Sequence, residues 1–210
     1  MVRGKKATHV IIVGGPGTGK TTLTNLLQKE LTKQGLKVYV IRDWAREIII
    51  EQKAKGGNLL PWINRVAFER EVVRRHVREY ENLYTRGEEK KYDVILEDGS
   101  PFIAPAYAEA DGEPPDEWIT DKLREWAWIV DAAILTTPLN NYGTDNARWE
   151  NKQYALKIHE TIRKHINKTF PNKTIQLTTK TPEARLAETL GALVKAGLLL
   201  GFLPNREKQY

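Results

Sequence analysis

Residues 13–22 read Val-Gly-Gly-Pro-Gly-Thr-Gly-Lys-Thr-Thr, and no other stretch restricts the fold of this chain so tightly. Gly14, four residues, and then Gly19-Lys20-Thr21 satisfy the P-loop pattern. Upstream lies His-Val-Ile-Ile-Val, a continuous apolar run of strand length. Downstream, residues 20–35 carry leucines at helical spacing and end on a helix-stopping glycine. The pattern therefore sits between a strand and a helix, the context in which it binds phosphate. There glycines let consecutive backbone N–H groups turn inward, and the helix N-terminus contributes a positive dipole end. The expected cradle comprises Gly14, Gly15, Pro16, Gly17, Thr18, Gly19, Lys20, Thr21 and Thr22. Lys20 is placed to reach the β- and γ-phosphates of ATP, and the Thr21 hydroxyl to ligate Mg²⁺.

Strand-like and helix-like segments alternate through the rest of the chain. Strands are expected at Lys-Val-Tyr-Val-Ile-Arg-Asp (37–43), Tyr-Asp-Val-Ile-Leu-Glu-Asp-Gly (92–99), Asp-Ala-Ala-Ile-Leu-Thr-Thr-Pro (131–138) and Lys-Thr-Ile-Gln-Leu-Thr-Thr (173–179). Helices are expected over 115–130, 148–166 and 181–197. A longer one covers 60–87, with Pro61 in its first turn and Gly87 as its stop. This alternation marks an α/β fold with a mainly parallel sheet, whose ligands bind at the carboxyl ends of the strands. With no repeat, low-complexity tract or linker in 210 residues, one domain spanning 1–210 is expected. The chain has no cysteine, no apolar run that would span a bilayer and no signal-like segment. A cytoplasmic protein without a membrane partner is the expectation. The net charge of +6 suits anionic ligands without demanding nucleic acid.

A carboxylate on the Mg²⁺ side should come from the end of another strand. Glu97 and Asp98 both qualify; Asp98 is favoured, with Glu97 as the alternative and a simple capped turn as the bland reading. A guanine-reading loop is discounted, because Asn-Lys-Gln-Tyr at Asn151 lacks its aspartate and falls inside a helix. A motor ATPase is discounted because the acidic order is Glu97-Asp98 and no further helical domain follows. A small phosphotransferase remains, which needs an acceptor site, a base and a cationic lid.

Candidates exist for each. After the second strand, Asp43 could take a proton from an acceptor hydroxyl while Arg46 fixes a polar group; alternatively Asp43 is a helix N-cap beside a surface ion pair. On the long helix Val66, Val73, Val77, Tyr80 and Tyr84 mark the buried face. Arg70 and Arg74 then border it, either overhanging a cleft or lying on a solvated face. A polar segment at about 139–152 reads as a lid, with Gly143 as hinge. Arg148 there either closes over the phosphates or is a surface arginine at a helix start. The loop Thr-Thr-Lys-Thr-Pro-Glu-Ala-Arg after the fifth strand is a candidate adenine site. The four histidines show no ligand spacing and read as ordinary core or surface residues.

Together the Gly-Gly-Pro-Gly-Thr-Gly-Lys-Thr-Thr cradle, Arg-Asp-Trp-Ala-Arg-Glu at 42–47, Asp98 with Tyr107 nine residues on, and Asp-Asn-Ala-Arg opening the lid helix resemble small P-loop kinases related to nucleoside and nucleotide kinases. They look most like the AAA-like ATPase domain of nicotinamide riboside kinases. The resemblance implies a three-layer fold with a five-stranded parallel sheet in the order 2-3-1-4-5. It also implies ATP on the P-loop and acceptor contacts from the second-strand loop and the long helix. Asp43 stands where the group commonly has Glu, and Asp98-Gly99 where it commonly has Asp-Arg, so an acceptor-binding arginine is missing. The expected reaction is Mg²⁺-dependent transfer of the γ-phosphoryl group of ATP to a small nucleoside- or nucleotide-like acceptor. The competing reading is an NTPase or nucleotide-binding regulator acting on a protein or nucleic-acid partner, polynucleotide 5′-ends included, although no nucleic-acid-binding module is evident.

Overall fold

The computed structural model describes residues 7–139 and 151–199. Five strands, β1 (Thr8–Val13), β2 (Val38–Ile41), β3 (Val94–Asp98), β4 (Ala132–Leu135) and β5 (Thr174–Gln176), form one sheet in the order β2-β3-β1-β4-β5. Every neighbouring pair is parallel, as expected when each strand returns through a helical crossover.

The central strands are apolar on both sides, and their two-residue period divides the core. Ile11, Val13, Ile95, Ala133 and Leu135 point to one face; Val10, Ile12, Leu96, Ala132 and Ile134 point to the other. The second face is covered by α1 (Lys20–Lys33) and α7 (Pro182–Lys195) through Leu23, Leu27, Leu31, Leu190 and Leu193. Truncating a fully buried residue such as Leu27 to alanine would cost about 2–5 kcal/mol. The first face is covered by α3 (Arg65–Tyr80), α5 (Glu117–Trp126) and α6 (Lys152–Thr169). A third, smaller cluster joins Ile48 and Ile49 of α2 (Trp44–Lys55) to Leu60, Phe68 and Val72, fixing α2 against α3.

Several boundaries differ from the sequence expectation, each for a local reason. Helix α2 bears out the N-cap alternative for Asp43: Asp43 caps its N-terminus and Gly56, at φ 63°, ends it, although three consecutive isoleucines hide the helical stripe and its length was not expected. The long helix does not start near Pro61. Asn64 accepts from the Ala67 N–H at 3.1 Å and starts α3 at Arg65, which finishes in a π-helical turn over Glu81–Thr85. Helix α4 (Ala104–Ala110) is a short alanine-rich turn that carries Tyr107. Asn151 caps α6 by accepting from the Tyr154 N–H, so it is no base-reading loop.

Candidate functional site

The cradle is built where β1, β3 and β4 end together. Gly14 cannot carry a side chain, since a Cβ there would lie 2.3 Å from the Thr136 hydroxyl. Thr136 donates to the Val13 carbonyl at 3.0 Å, and Thr18 donates to the Gly15 carbonyl at 2.9 Å, so the turn is tied to the end of β4. Gly19 is left-handed at φ 81° and opens α1 with no side-chain cap, which leaves its first N–H groups directed at the cleft. The Lys20 ammonium donates to the Gly14 and Gly15 carbonyls at 3.1 and 3.0 Å.

Two residues that the sequence reading passed over hold this loop in place. Arg185 of α7 is buried, and its guanidinium donates to the Thr18 carbonyl, to the Thr137 carbonyl at 2.6 Å and to the Thr179 carbonyl at 3.1 Å. It ties the P-loop to the ends of β4 and β5 and occupies the loop that was assigned to adenine. His159 of α6 accepts from the Gly15 N–H through Nδ1 at 3.2 Å. Burial, with help from the Lys20 charge, depresses its pKa to about 4, so the ring is neutral and free to accept. Neither residue stands in a recognisable motif. The nearest signal for Arg185 was the proline-started helix that carries it.

The two adjacent carboxylates of β3 have opposite fates, as strand alternation requires. Glu97 lies wholly in the core: it meets His9 Nε2 at 2.8 Å, accepts from the Tyr80 hydroxyl at 2.7 Å and lies 3.5 Å from His76 Nε2. Burial opposes its charge, but His9, His76 and Tyr80 outweigh it and hold the carboxyl below its ordinary range. Glu97 therefore cannot serve the metal side. Asp98 turns to the cradle, where Thr21, Lys20 and Arg46 favour its charged form; burial outweighs them and raises its pKa. Its Oδ1 has no hydrogen-bond partner among the described residues. Thr21 and Asp98 thus offer two hard oxygens, one of them unsatisfied, which fits Mg²⁺ completed by phosphate oxygens and water. Among the described residues there is no cluster of three or more His, Cys, Asp or Glu that could hold a metal by itself.

Asp43 faces the same cleft. Its Oδ1 accepts from the Arg46 N–H at 3.1 Å, so it does cap α2, yet its carboxyl also lies beside Lys20 and Asp98. Burial raises its pKa to about 6; Lys20 opposes this and Asp98 adds to it. Gly99, at φ 71°, makes the approach possible, because a Cβ on it would lie 3.0 Å from the Asp43 Cγ.

Two cavities meet here. One, of about 410 Å³, runs along the cradle from Pro16 to Thr22 and out to Arg46. The other, of about 120 Å³, is an apolar chamber walled by α2, α3 and the segment after β3. Lys20, Asp43, Ala45, Ile49 and Tyr107 line both. Arg70 and Arg74 line neither, which corrects the expectation for the long helix. Its buried face is Phe68, Val72, Val73, His76 and Tyr80, while Val66 is exposed. The phase is rotated, and the cleft receives Arg65, Phe68, Glu69 and Val72 instead. Arg70 pairs with Asp116 at 2.8 Å, and Arg70 and Arg74 both pack over Trp118, at 5.9 and 5.3 Å from the ring centroid. Arg148 and the lid around it lie outside the described residues, apart from Leu139, Asn151 and Lys152 at its ends.

A parallel sheet in this order, with a glycine cradle feeding a helix N-terminus and a hydroxyl–carboxylate pair beside it, defines a P-loop nucleotide-binding domain. Residues 9–185 match the AAA domain family, and the chain belongs to it. The match runs from the first strand to Arg185 and so takes in the cradle, both cavities and the clamp behind the loop. Among the described residues no helix is long and apolar enough to cross a membrane.

Proposed function

We propose that this P-loop domain is an ATP- and Mg²⁺-dependent phosphotransferase that moves the γ-phosphoryl group onto a hydroxyl of a small, nucleoside-like acceptor. The observation that carries this reading is the second cavity. A domain that only hydrolyses or senses nucleotide needs the cradle, whereas a kinase also needs a second chamber opening onto the lysine. Here that chamber shares Lys20 and Asp43 with the cradle. The resemblance to small nucleoside and nucleotide kinases points the same way.

In this reading the cradle N–H groups and Lys20 hold the phosphates, and Lys20 exchanges its bonds to the Gly14 and Gly15 carbonyls for phosphate oxygens. Mg²⁺, held by Thr21 and Asp98, would neutralise charge on the β- and γ-phosphates. Asp43 accepts the proton of the acceptor hydroxyl as its oxygen bonds to the γ-phosphorus. The bond from that phosphorus to the β–γ bridging oxygen breaks, and ADP leaves with the electron pair. A carboxylate titrating near 6 is mostly ionised at neutral pH and is a stronger base than an ordinary aspartate. Arg148, in the lid segment, is proposed to close over the phosphates and exclude water.

The test is incubation with γ-labelled ATP, Mg²⁺ and a pooled set of nucleosides, nucleotides and coenzymes. Label should appear in an organic product, and Lys20→Ala should remove it. Label recovered only as inorganic phosphate from every pool would overturn the kinase reading in favour of an NTPase.

A further inference from the structure

Gly15 is the point at which α6 comes down on the cradle. A Cβ there would lie 2.8 Å from the Cβ of His159 and 3.1 Å from the Ala155 carbonyl, so only a glycine lets helix and loop come this close. Both polar groups of this glycine are engaged. Its N–H donates to His159 Nδ1 at 3.2 Å, and its carbonyl accepts from the Lys20 ammonium at 3.0 Å and from the Thr18 hydroxyl at 2.9 Å. Nucleotide entry treats these bonds differently. To reach a phosphate, Lys20 must release the Gly14 and Gly15 carbonyls. The Thr18 hydroxyl only binds one part of the loop to another. The His159 bond comes from α6, outside the loop, and Lys20 can leave without breaking it.

We infer that His159 is a positioning residue for nucleotide phosphate: its Nδ1 keeps Gly15 fixed to α6 once Lys20 has moved, and so preserves the shape of residues 14–17 around the phosphates whatever base they carry. This rests on phosphate binding by the P-loop and not on the acceptor, so it applies equally to a kinase and to an NTPase. The role needs an acceptor at Nδ1, hence a ring whose single proton sits on Nε2. An imidazolium would set one N–H against another and leave the buried Gly15 N–H unpaired. The surroundings oppose that state. His159 is 8 % exposed, and burial together with the Lys20 charge holds its pKa at about 4. On its own helix Glu160 favours the charged ring and Arg163 disfavours it. Lys152, which lines a small cavity with His159 beside Pro16 and Thr18, is a further cation.

Equilibrium binding of ATP and of inorganic tripolyphosphate to the full chain, with Mg²⁺ present, tests this role. His159→Leu should weaken both by one common factor of about tenfold or more, because a buried N–H loses its acceptor and the base takes no part. His159→Asn, whose side-chain oxygen can stand in for Nδ1, should bind each within about threefold of the parent. A residue that only filled space would be replaced as well by leucine as by asparagine. The ring of the parent chain gives a second reading. Long-range proton–nitrogen NMR at about pH 5.5, where an ordinary histidine is mostly charged, should show His159 neutral with its proton on Nε2. Four results would each overturn the inference: a charged ring at that pH, a proton on Nδ1, parent-like binding by His159→Leu, or a loss confined to ATP. Should the leucine variant fail to fold, the asparagine variant decides. Binding about tenfold weaker than the parent, with unchanged circular dichroism, overturns the inference, and parent-like binding upholds it.

Discussion

Asp43 and Gly99 face each other in the wall of the apolar chamber, and a β-carbon on the glycine would lie 3.0 Å from the aspartate Cγ and 3.1 and 3.3 Å from its oxygens. Gly99 is also left-handed, at φ 71°, where a side chain is strained in any surroundings. Gly99→Ala is therefore expected to cost about 1–2 kcal/mol of stability and to displace the Asp43 carboxyl. Phosphoryl transfer should fall by tenfold or more while ATP affinity changes little. Denaturant titration alongside separate transfer and nucleotide-binding assays would check this.

Asp43 should leave a signature in both activity and stability. The acid limb of the transfer rate is expected to rise through about pH 6, where the buried carboxyl loses its proton. The group's ordinary value is 3.8, so between 3.8 and about 6 the folded chain holds a proton that the unfolded chain has released. Stability contributed by this site therefore declines as pH rises across that window and stays low above it. Asp43→Asn keeps a good N-cap, so it should abolish transfer yet raise stability at pH 7–8 by on the order of 1–2 kcal/mol, after discounting for the site's part exposure. Thermal melts at pH 4 and pH 8 separate the outcomes: a variant less stable than the parent at pH 8 would contradict the assignment.

Neighbouring acids of β3 should respond in opposite ways. Glu97→Ala strips the buried partner from His9, His76 and Tyr80 and is expected to cost roughly 3–5 kcal/mol. Asp98→Asn touches a carboxyl whose Oδ1 has no partner among the described residues, so the fold should lose little. The Mg²⁺ concentration needed for half-maximal activity should rise at least tenfold. Unfolding curves and Mg²⁺ titrations on the two variants give a direct comparison.

Arg185 is predicted to be as necessary to nucleotide binding as residues of the cradle, although it faces the loop from behind. Arg185→Ala leaves the carbonyls of Thr18, Thr137 and Thr179 without their buried donor, at a cost of about 2–4 kcal/mol. Lysine should rescue little of this, because one ammonium cannot span three carbonyls that a planar guanidinium reaches together. ATP affinity measured by equilibrium binding should fall about tenfold or more in both variants, while the parent fold remains visible by circular dichroism.

Much of the architecture was legible because it depends on short-range signals. The β1–cradle–α1 unit, the five strands and the helices α5, α6 and α7 follow from apolar runs, glycine stops and caps, although their ends differ by a few residues from the 115–130, 148–166 and 181–197 expected. The long helix was misphased because Val66 and Val77 suggested an apolar stripe that competes with the one Phe68, Val72 and Val73 form against the sheet and α2. Only tertiary packing decides between the two, and the choice moved Arg70 and Arg74 away from the cleft and brought Glu69 into it. Glu69 itself read as a surface acid on a charged helix. Arg185 and His159 escaped notice because their role is to reach backbone atoms 167 and 144 residues away, a relation that leaves no local pattern. The glycine at 99 was visible in the sequence; its closeness to the Asp43 carboxyl was not.

The shared rim of the two cavities divides the domain by what can be exchanged. The nucleotide half is assembled from β1, α1, α7 and the strand ends, whereas the outer wall of the chamber is contributed by α2, α3 and the short segment bearing Tyr107. The α2–α3 pair has its own small apolar cluster and meets the nucleotide half at Lys20, Asp43, Ala45, Ile49 and Tyr107. Substitutions at Phe68 or Val72 can therefore reshape the chamber without disturbing the phosphate cradle. A lineage of such domains could acquire new chamber ligands by redrafting two helices, with the nucleotide half behind them inherited intact.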